Sequence, residues 1–482
     1  MVAIIDETRI KKLDNFPYNP FKENSFRKNI SISKIIVDFS DKNKEELEKE
    51  NNCVKIAGRM MRMRNFGNLI FADLKDESSS IQLIVDKNDL FKSLDIGDII
   101  GVDGIIAKSQ RGELSVKVLN FILLSKCLRP LPDKHYGFND IEERFRKRYI
   151  DFLINSEKKE ILFLRHSLVK NIRNFFDEKG FIEIETPILV SEASGAQAKP
   201  FITHHKKLNR DFFLRIATEI SLKKLLIGGF EKIYELGRIF RNEGIDARHN
   251  PEFTTIEIYQ AYENCETMMK LTEELLLSLS KKILKKRKFS FNSHLVEFSD
   301  SFEKISMSDS IKKYLDIDLK NMSVEEILEL PKKYDKLELK DFQKTPGHIT
   351  LSLFENYVES ELINPTFIYD YPIENSPLAK RKKDSETIAD RFELFIGGLE
   401  FANGYSELND PFEQKNRFLD QVKQKELGND EIADFDEDFV ESMEYGMPPA
   451  GGLGIGIDRL VMLFSEQNSI KEVMAFPQLK KK

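Results

Sequence analysis

The densest group of reactive side chains lies between Gly237 and Phe253, where Arg238, Arg241, Glu243, Asp246, Arg248, His249 and Glu252 crowd one short stretch. Guanidinium groups are planar forks that grip phosphate or carboxylate oxygens with paired hydrogen bonds. The strand that follows, Thr254 to Tyr262, alternates with period two: Thr255, Glu257, Tyr259 and Ala261 face one way, Ile256 and Ile258 the other. Its apolar face is expected to pack and its polar face to look into a pocket. A second group, Arg391 to Leu408, sets Glu393, Glu400 and Glu407 among apolar strand residues, with Asn403 and Tyr405 beside them. A lone buried carboxylate is costly, so these groups need a cation partner or a metal. An oxygen-only set suits Mg²⁺ shared with substrate phosphates. Parity places Asn403, Tyr405 and Glu407 on one face and Glu400 on the other, unless a bulge near Gly404 re-aims Glu400. The third group, Met447 to Leu460, is a Gly-rich strand running into a helix that opens with Asp458-Arg459. Such glycines let a backbone or a flat ligand come close. The plainer readings are a solvated hairpin, surface-facing carboxylates and close packing. Three basic side chains beside a carboxylate and an aromatic weigh against the first of these.

The elements that must hold these groups are legible around them. Ile161, Leu164, Leu168, Ile172 and Phe175 recur at helical spacing, with Ser156 to cap the start and Gly180 to stop the helix. A strand, Phe181 to Glu185, closes at Thr186-Pro187. Further strands and helices interleave to the C-terminus without regular βαβ alternation, which predicts an α+β fold on an antiparallel sheet. Residues 280–345 are Lys-rich, weakly patterned and free of recognisable chemistry. Upstream, five short β-rich runs between 53 and 125 alternate with turns such as Phe66-Gly67-Asn68 and Arg111-Gly112-Glu113, which predicts a small five-stranded barrel of the OB-fold kind. Residues 1–50 read as a helical extension with little core. The expected order is therefore that extension, a barrel over 51–127, a linker over 128–150 and a large domain over 151–482, with 280–345 insertion-like.

Composition narrows the classes. The 482 residues are 41% hydrophobic and 32% charged, a globular profile. No apolar run approaches the ~20 residues of a membrane helix, and the acidic start is not a secretory signal. Three scattered cysteines exclude a disulfide framework and a Cys-based zinc site and suit a cytoplasmic protein. Residues 1–150 are slightly basic, with 27 Lys and Arg against 23 Asp and Glu, under a net charge of −7 for the whole chain. That is compatible with a polyanion at one end, and random surface scatter explains it equally well. There is no phosphate-binding P-loop and no Rossmann fingerprint.

Several strings together resemble the class II aminoacyl-tRNA synthetases. They are Ala198-Lys199-Pro200-Phe201, Leu214-Arg215-Ile216-Ala217-Thr218-Glu219, Phe240-Arg241-Asn242-Glu243-Gly244, Arg248-His249-Asn250-Pro251-Glu252-Phe253 and Gly454-Ile455-Gly456-Ile457-Asp458-Arg459. With a barrel first, the chain resembles subclass IIb and, within it, the lysyl-tRNA synthetases. The resemblance runs from about residue 53 to 482 and is weakest over 280–345. There are departures: the family usually has Pro at Thr218, an aromatic at Ser221, Gly at Ser194, Thr at Ala450 and Lys at Asn68.

The resemblance implies lysine activation by ATP, then lysyl transfer to the 3′-end of tRNA(Lys). Attack of an ionised carboxylate on the α-phosphorus needs positioning and charge neutralisation rather than a general base. Catalytic roles would fall to Arg241, Arg459, His249 and Glu243. Arg241 would bridge the lysine carboxylate and α-phosphate. Arg248 and His249 would hold the outer phosphates, Arg459 would lie against adenine or reach the γ-phosphate, Phe253 would stack on the other face of the base, and Glu243 would contact adenine or its neighbours. Glu393 and Glu400 would hold Mg²⁺ on the triphosphate. Glu219 would take the α-ammonium. Glu407 and Tyr259 would take the ε-ammonium, with Gly195, Glu257, Asn403 and Tyr405 around them. In the barrel, Arg64, Phe71, Gln82 and Glu113 would read the anticodon, Phe71 by stacking. A homodimer is implied through the Ser156 helix and the strand ending at Pro187. No membrane or DNA partner is expected. Three alternatives stand beside this: an aspartyl- or asparaginyl-type synthetase, a non-catalytic tRNA-binding paralogue, and a relative that lysylates a protein, against which the barrel counts. A polynucleotide ligase is disfavoured because Gly101-Val102-Asp103-Gly104 has no Lys for the nucleophile motif.

Overall fold

The computed structural model describes residues 5–132, 140–334, 336–337, 339–340, 343–426 and 435–481. The chain divides into two compact units, Met1–Ile141 and Glu142–Lys482.

In the first unit the β-rich runs become β1 (Cys53–Phe66), β2 (Leu69–Lys75), β3 (Ser80–Asp86), β4 (Ile99–Lys108) and β5 (Leu114–Ser125). They close into a barrel of order β1-β2-β3-β5-β4, with β1 returning to pair with β4. β3 and β5 run parallel, and the other neighbours are antiparallel. Closure leaves no free sheet edge, which suits so small a β unit. The first 50 residues do more than expected. Ile32 and Ile35, one turn apart on the helix Ile32–Phe39, and Leu47 on the helix Lys44–Glu50 are buried in the same core as the barrel's Val54, Ile56 and Leu83. Phe26 lies against Gly101, where a Cβ would collide with its ring. The expectation of little core there failed because single apolar residues per turn, amid many charges, give a weak sequence pattern.

The second unit is built on one sheet. Its strands, in chain order, begin with β6 (Ile182–Glu183), followed by a small sheet of β7 (Leu189–Val190), β8 (Ile202–His205) and β9 (Arg210–Leu214). Then come β10 (Lys232–Phe240), β11 (Glu252–Ala261), a hairpin of β12 (Lys288–Phe291) and β13 (His294–Glu297), β14 (Glu303–Ser306), β15 (Thr366–Pro372), β16 (Ile388–Ile396), β17 (Leu399–Ser406) and β18 (Ala450–Gly456). The eight-stranded order is β14-β15-β16-β17-β18-β11-β10-β6. The interior pairs are antiparallel as expected, but both edge pairs, β14 with β15 and β10 with β6, are parallel. The sheet is therefore mixed.

One face of this sheet packs on the helices Glu157–Glu178, Cys265–Leu279 and Ile457–Phe464, through residues such as Leu168, Leu275, Ile256, Phe392 and Val461. Ser156 does not cap its helix: it has helical dihedrals and its side chain makes no capping bond. Gly180, at φ +80°, ends it as expected. The strand expected over 181–185 shortens to β6, because Thr186 turns away to donate its backbone N–H and hydroxyl to Glu235. Residues 280–345 are built into the unit: they supply β14 at the sheet edge and the helix Met307–Leu315, packed with the helix Pro346–Tyr357. Part of the expected linker also belongs here, since Arg148 and Asp151 on the helix Arg148–Ile154 are fully buried and paired.

Candidate active site

On the opposite face of β16, β17, β18 and β11 lies a cavity of about 590 Å³. The Gly237–Phe253 and Arg391–Leu408 clusters meet here because β18 pairs with both β11 and β17. On β11 the alternation holds: Ile256 and Ile258 are fully buried in the core, while Thr255, Glu257 and Tyr259 line the cavity. The parity problem at Glu400 is resolved by a bulge, but not near Gly404. Glu393 pairs with Asn403 and Leu394 with Ala402, yet Phe395 pairs with Glu400. The extra residue is thus at Phe401, and it brings Glu400 to the cavity side with Asn403 and Tyr405.

The closed end of the cavity is acidic. Glu219, at the start of the helix Glu219–Ile227, is buried and accepts a 2.6 Å hydrogen bond from Tyr405 Oη. Glu257 accepts the Thr218 backbone N–H at 3.1 Å and the Tyr259 hydroxyl at 3.3 Å. A proline at 218 would lack that donor. Glu407 is 1% exposed, and its carboxylate is in an ion pair with the buried Lys223 ammonium through Oε2. One oxygen lies where a Cβ on Gly452 would collide with it, which gives that glycine a reason beyond packing. Burial, with Glu219 and Glu257 close by, pushes the Glu407 carboxyl up, and Lys223 opposes the shift. Burial and Glu219 likewise raise Glu257. Tyr259 and Tyr405 are driven well above the usual phenol range by burial and the carboxylates, so both stay neutral donors. Gly195, at φ +90°, brings its loop within 3.3 Å of the Glu219 Cβ if given a Cβ of its own.

Midway along the cavity Arg241 stacks its guanidinium 5.3 Å from the Phe253 ring, and its buried Nε has no partner. Toward the mouth, Glu243, Arg248 and His249 are exposed on the loop between β10 and β11. Asp246 braces that loop by accepting the N–H groups of Arg248 and His249, at 2.6 and 2.7 Å, and bonding His249 Nδ1 at 2.9 Å. Burial would raise the Asp246 carboxyl, but the His249 ring and these N–H donors hold it at about 2. Arg459 bonds the Glu400 backbone carbonyl and lies 3.6 Å from its carboxylate. Asp458 is structural: it accepts the Thr254 N–H at 2.7 Å and pairs with Arg165.

Glu393 is pinned by the Tyr371 hydroxyl at 2.8 Å and by Arg391. Burial, then the nearby Glu400 and Glu355 working against Arg391, leave its carboxyl at about 7. Glu359 is also pushed up to about 7, by burial, Glu400 and Glu355. Among the described residues no group of three His, Cys, Asp or Glu forms a ready metal cage. A hard cation held by one or two carboxylates and completed by substrate phosphates fits this oxygen-only, charge-crowded set.

Lys223 and Glu359 carry no signal in the sequence motifs, and Asp246 and Arg391, though inside them, have no role assigned from sequence alone. Arg391 holds Asn403 at 3.2 Å as well as Glu393. Lys223 follows Glu219 by four residues, a spacing that shares a helix face and could have flagged it.

In the barrel, Arg64 and Phe71 are directly paired across β1 and β2. Phe71 lies outside the barrel's apolar core and meets Phe66 edge to face at 5.8 Å. The buried Gln82 donates to Glu113 at 2.8 Å and accepts from Ser115 at 3.1 Å. The Arg64 Nε is buried without a partner.

Residues 140–480 match the family described as tRNA synthetases class II (D, K and N), and residues 54–124 match the OB-fold nucleic acid binding domain. The chain belongs to the class II tRNA synthetases. Among curated relatives, the lysine–tRNA ligase of Listeria monocytogenes is 46% identical over 485 residues, covering 99% of this chain and 97% of the relative. Those of Bacillus cytotoxicus and Mycoplasma mycoides are each 44% identical over 487 residues, with the same coverage. Every cavity residue named above falls inside the class II synthetase match, and Arg64, Phe71, Gln82 and Glu113 fall inside the OB-fold match.

Proposed function

We propose that the chain is an ATP-dependent lysine–tRNA ligase. The carrying observation is the acidic closed end of the cavity, where Glu219, Glu257 and Glu407 set three carboxylates against the one Lys223 ammonium, leaving carboxylate charge without a countercharge. An ammonium-bearing side chain satisfies such a carboxylate, and an uncharged isostere leaves it unpaired. An aspartate side chain would meet Glu219, Glu257 and Glu407 as like charges, which disfavours the aspartyl reading. The full-length relatives named lysine–tRNA ligase support the same choice.

In this reading the lysine carboxylate attacks the α-phosphorus of ATP, the bond to the bridging oxygen breaks, and pyrophosphate leaves with the electron pair. Arg241, whose Nε has no protein partner, neutralises charge growing at the α-phosphate. Arg248, His249 and Arg459 hold the outer phosphates and Phe253 stacks on adenine, with Glu243 beside it. A terminal tRNA hydroxyl then attacks the lysyl carbonyl and AMP departs. Glu393 and Glu400 would hold Mg²⁺, which supplies charge neutralisation on the triphosphate when bound. The barrel reads the anticodon, and the enzyme works as a cytoplasmic homodimer. No helix among the described residues is long and apolar enough to cross a membrane.

The test is ATP–pyrophosphate exchange with each standard amino acid. Lysine alone should drive exchange strongly. Exchange with aspartate or asparagine instead, or with none, overturns the reading.

A further inference from the structure

The pocket contains a cation of its own. Lys223 is 0% exposed, and its ammonium lies 2.5 Å from Glu219 Oε1 and in an ion pair with Glu407 Oε2. It also faces the Tyr405 and Phe439 rings, at 5.5 and 5.9 Å from their centroids. A lysine fully out of water is costly unless it is held by opposite charge. Here it bridges two carboxylates from different elements, one on the helix Glu219–Ile227 and one just beyond β17. Glu257, the third carboxylate, is held by the Thr218 N–H and the Tyr259 hydroxyl.

We propose that Lys223 is a specificity-determining positioning residue: it neutralises one of the three pocket carboxylates and orients Glu407, leaving two negative charges for the two ammonium groups of a diamino acid. This rests on the lysine–tRNA ligase reading. The charges then balance. Glu219, Glu257 and Glu407 oppose Lys223 and two substrate ammonium groups, while Arg241 meets the substrate carboxylate. Without Lys223 the acidic end has one carboxylate too many. The groups facing Glu407 are Lys223 and Glu219 from the helix, Glu257 and Tyr259 from β11, and Tyr405 from β17. All but Lys223 are acids or neutral phenols, so removing Lys223 makes Glu407 retain a proton to higher pH. A protonated Glu407 no longer distinguishes an ammonium from a methyl group.

The experiment is amino-acid-dependent pyrophosphate exchange by the full chain, with lysine and norleucine, from pH 6.5 to 8.5. Lys223→Met should raise the lysine KM by roughly 30-fold or more, the usual scale for breaking a buried charge pair, with the ATP KM held. Its kcat/KM for lysine should climb toward alkaline pH, by about one pH unit relative to wild type, and its preference over norleucine should shrink. Lys223→Arg should restore part of both. An unshifted lysine KM and pH profile overturns the proposal. So does a uniform loss, ATP KM included, that Lys223→Arg fails to rescue, which marks a packing role. If Lys223→Met does not fold, the neutral pair Lys223→Met with Glu407→Gln takes its place. That variant should favour norleucine relative to wild type, and an unchanged preference for lysine sinks the idea. A wild-type enzyme inactive with lysine strikes the functional reading itself, and the two failures are distinguishable.

Discussion

At the scale of single residues, the charge of Glu407 is the sharpest discriminator. Glu407→Gln keeps its shape and removes its charge, leaving a substrate ammonium without a full countercharge in a buried site. Lysine kcat/KM should fall on the order of 10²–10³, with ATP binding retained. Glu257 is the rival: it also lines the cavity and lies within reach of Tyr259. The same substitution at both positions decides, because flattening of the lysine-over-norleucine preference by Glu257→Gln alone would move the role to Glu257. Arg241→Ala should cost about 10²–10³ in kcat, the scale for one preorganised donor; a raised lysine KM with intact kcat would restrict Arg241 to ground-state binding. The buried carboxylates near Glu400 carry a pH signature. Glu359 and Glu393 sit near 7 in the folded chain, above the 4.5 of a free Glu, so the folded state binds their protons more tightly. Their contribution to stability is fully present below about pH 4.5 and is lost as pH rises through 7. In chelator, urea midpoints should therefore decline across that window, and Glu359→Gln should flatten the decline. Most residues that line the cavity were legible because their types are unusual for their elements. Lys223 was not, since a lysine in a helix usually reads as a solvated face and only the fold shows it walled in.

Elements explain why those residues meet. Period two on β11 sorted Glu257 and Tyr259 from Ile256 and Ile258 correctly, because no bulge interrupts the pairing of β11 with β10 or β18. It failed at Glu400, since a bulge shifts parity and leaves no compositional mark; the inserted residue is Phe401, an ordinary apolar side chain. Helix ends behaved similarly. Gly180 was readable from its need for a positive φ, whereas Ser156 had the right side chain but helical dihedrals. The five barrel strands were legible because turns and β-branched runs alternate. The edge strand β14 was not, as its four residues take their place from pairing with β15, far along the chain. The barrel makes its own prediction. Phe71 is half-buried and outside the core, and it sits beside Arg64 and near the exposed Phe66. Phe71→Ala should weaken aminoacylation by the ~1–3 kcal/mol of one stacked base, with tRNA-independent pyrophosphate exchange unchanged. An equal fall in both activities would make it a folding residue.

For the whole molecule the open question is assembly, and the second unit carries a surface suited to it. Phe163 on the helix Glu157–Glu178, Ile182 on β6, and Ile188 and Leu189 around β7 are 47, 53, 46 and 48% exposed. Exposed apolar patches mark interaction surfaces, and three of these side chains fall within residues 182–189. β6 is also the edge of the eight-stranded sheet, with one flank unpaired by the sheet. A second copy applied across a twofold axis would cover these groups on both chains at once, the commonest closed arrangement. Light scattering should give twice the 56.1 kDa chain mass. Ile182→Asp with Leu189→Asp should drive the chain toward monomer, since a charge buried at such an interface lacks a partner. Activity should fall with dissociation for a structural reason. β6 pairs with Ile233 and Tyr234 of β10, and the same strand runs on to Phe240 and delivers Arg241 to the cavity. Loosening the edge loosens the strand that positions the phosphate-binding guanidinium. A monomeric variant with full exchange activity would refute the coupling, and a wild-type chain that stays monomeric and active at high concentration would refute the dimer.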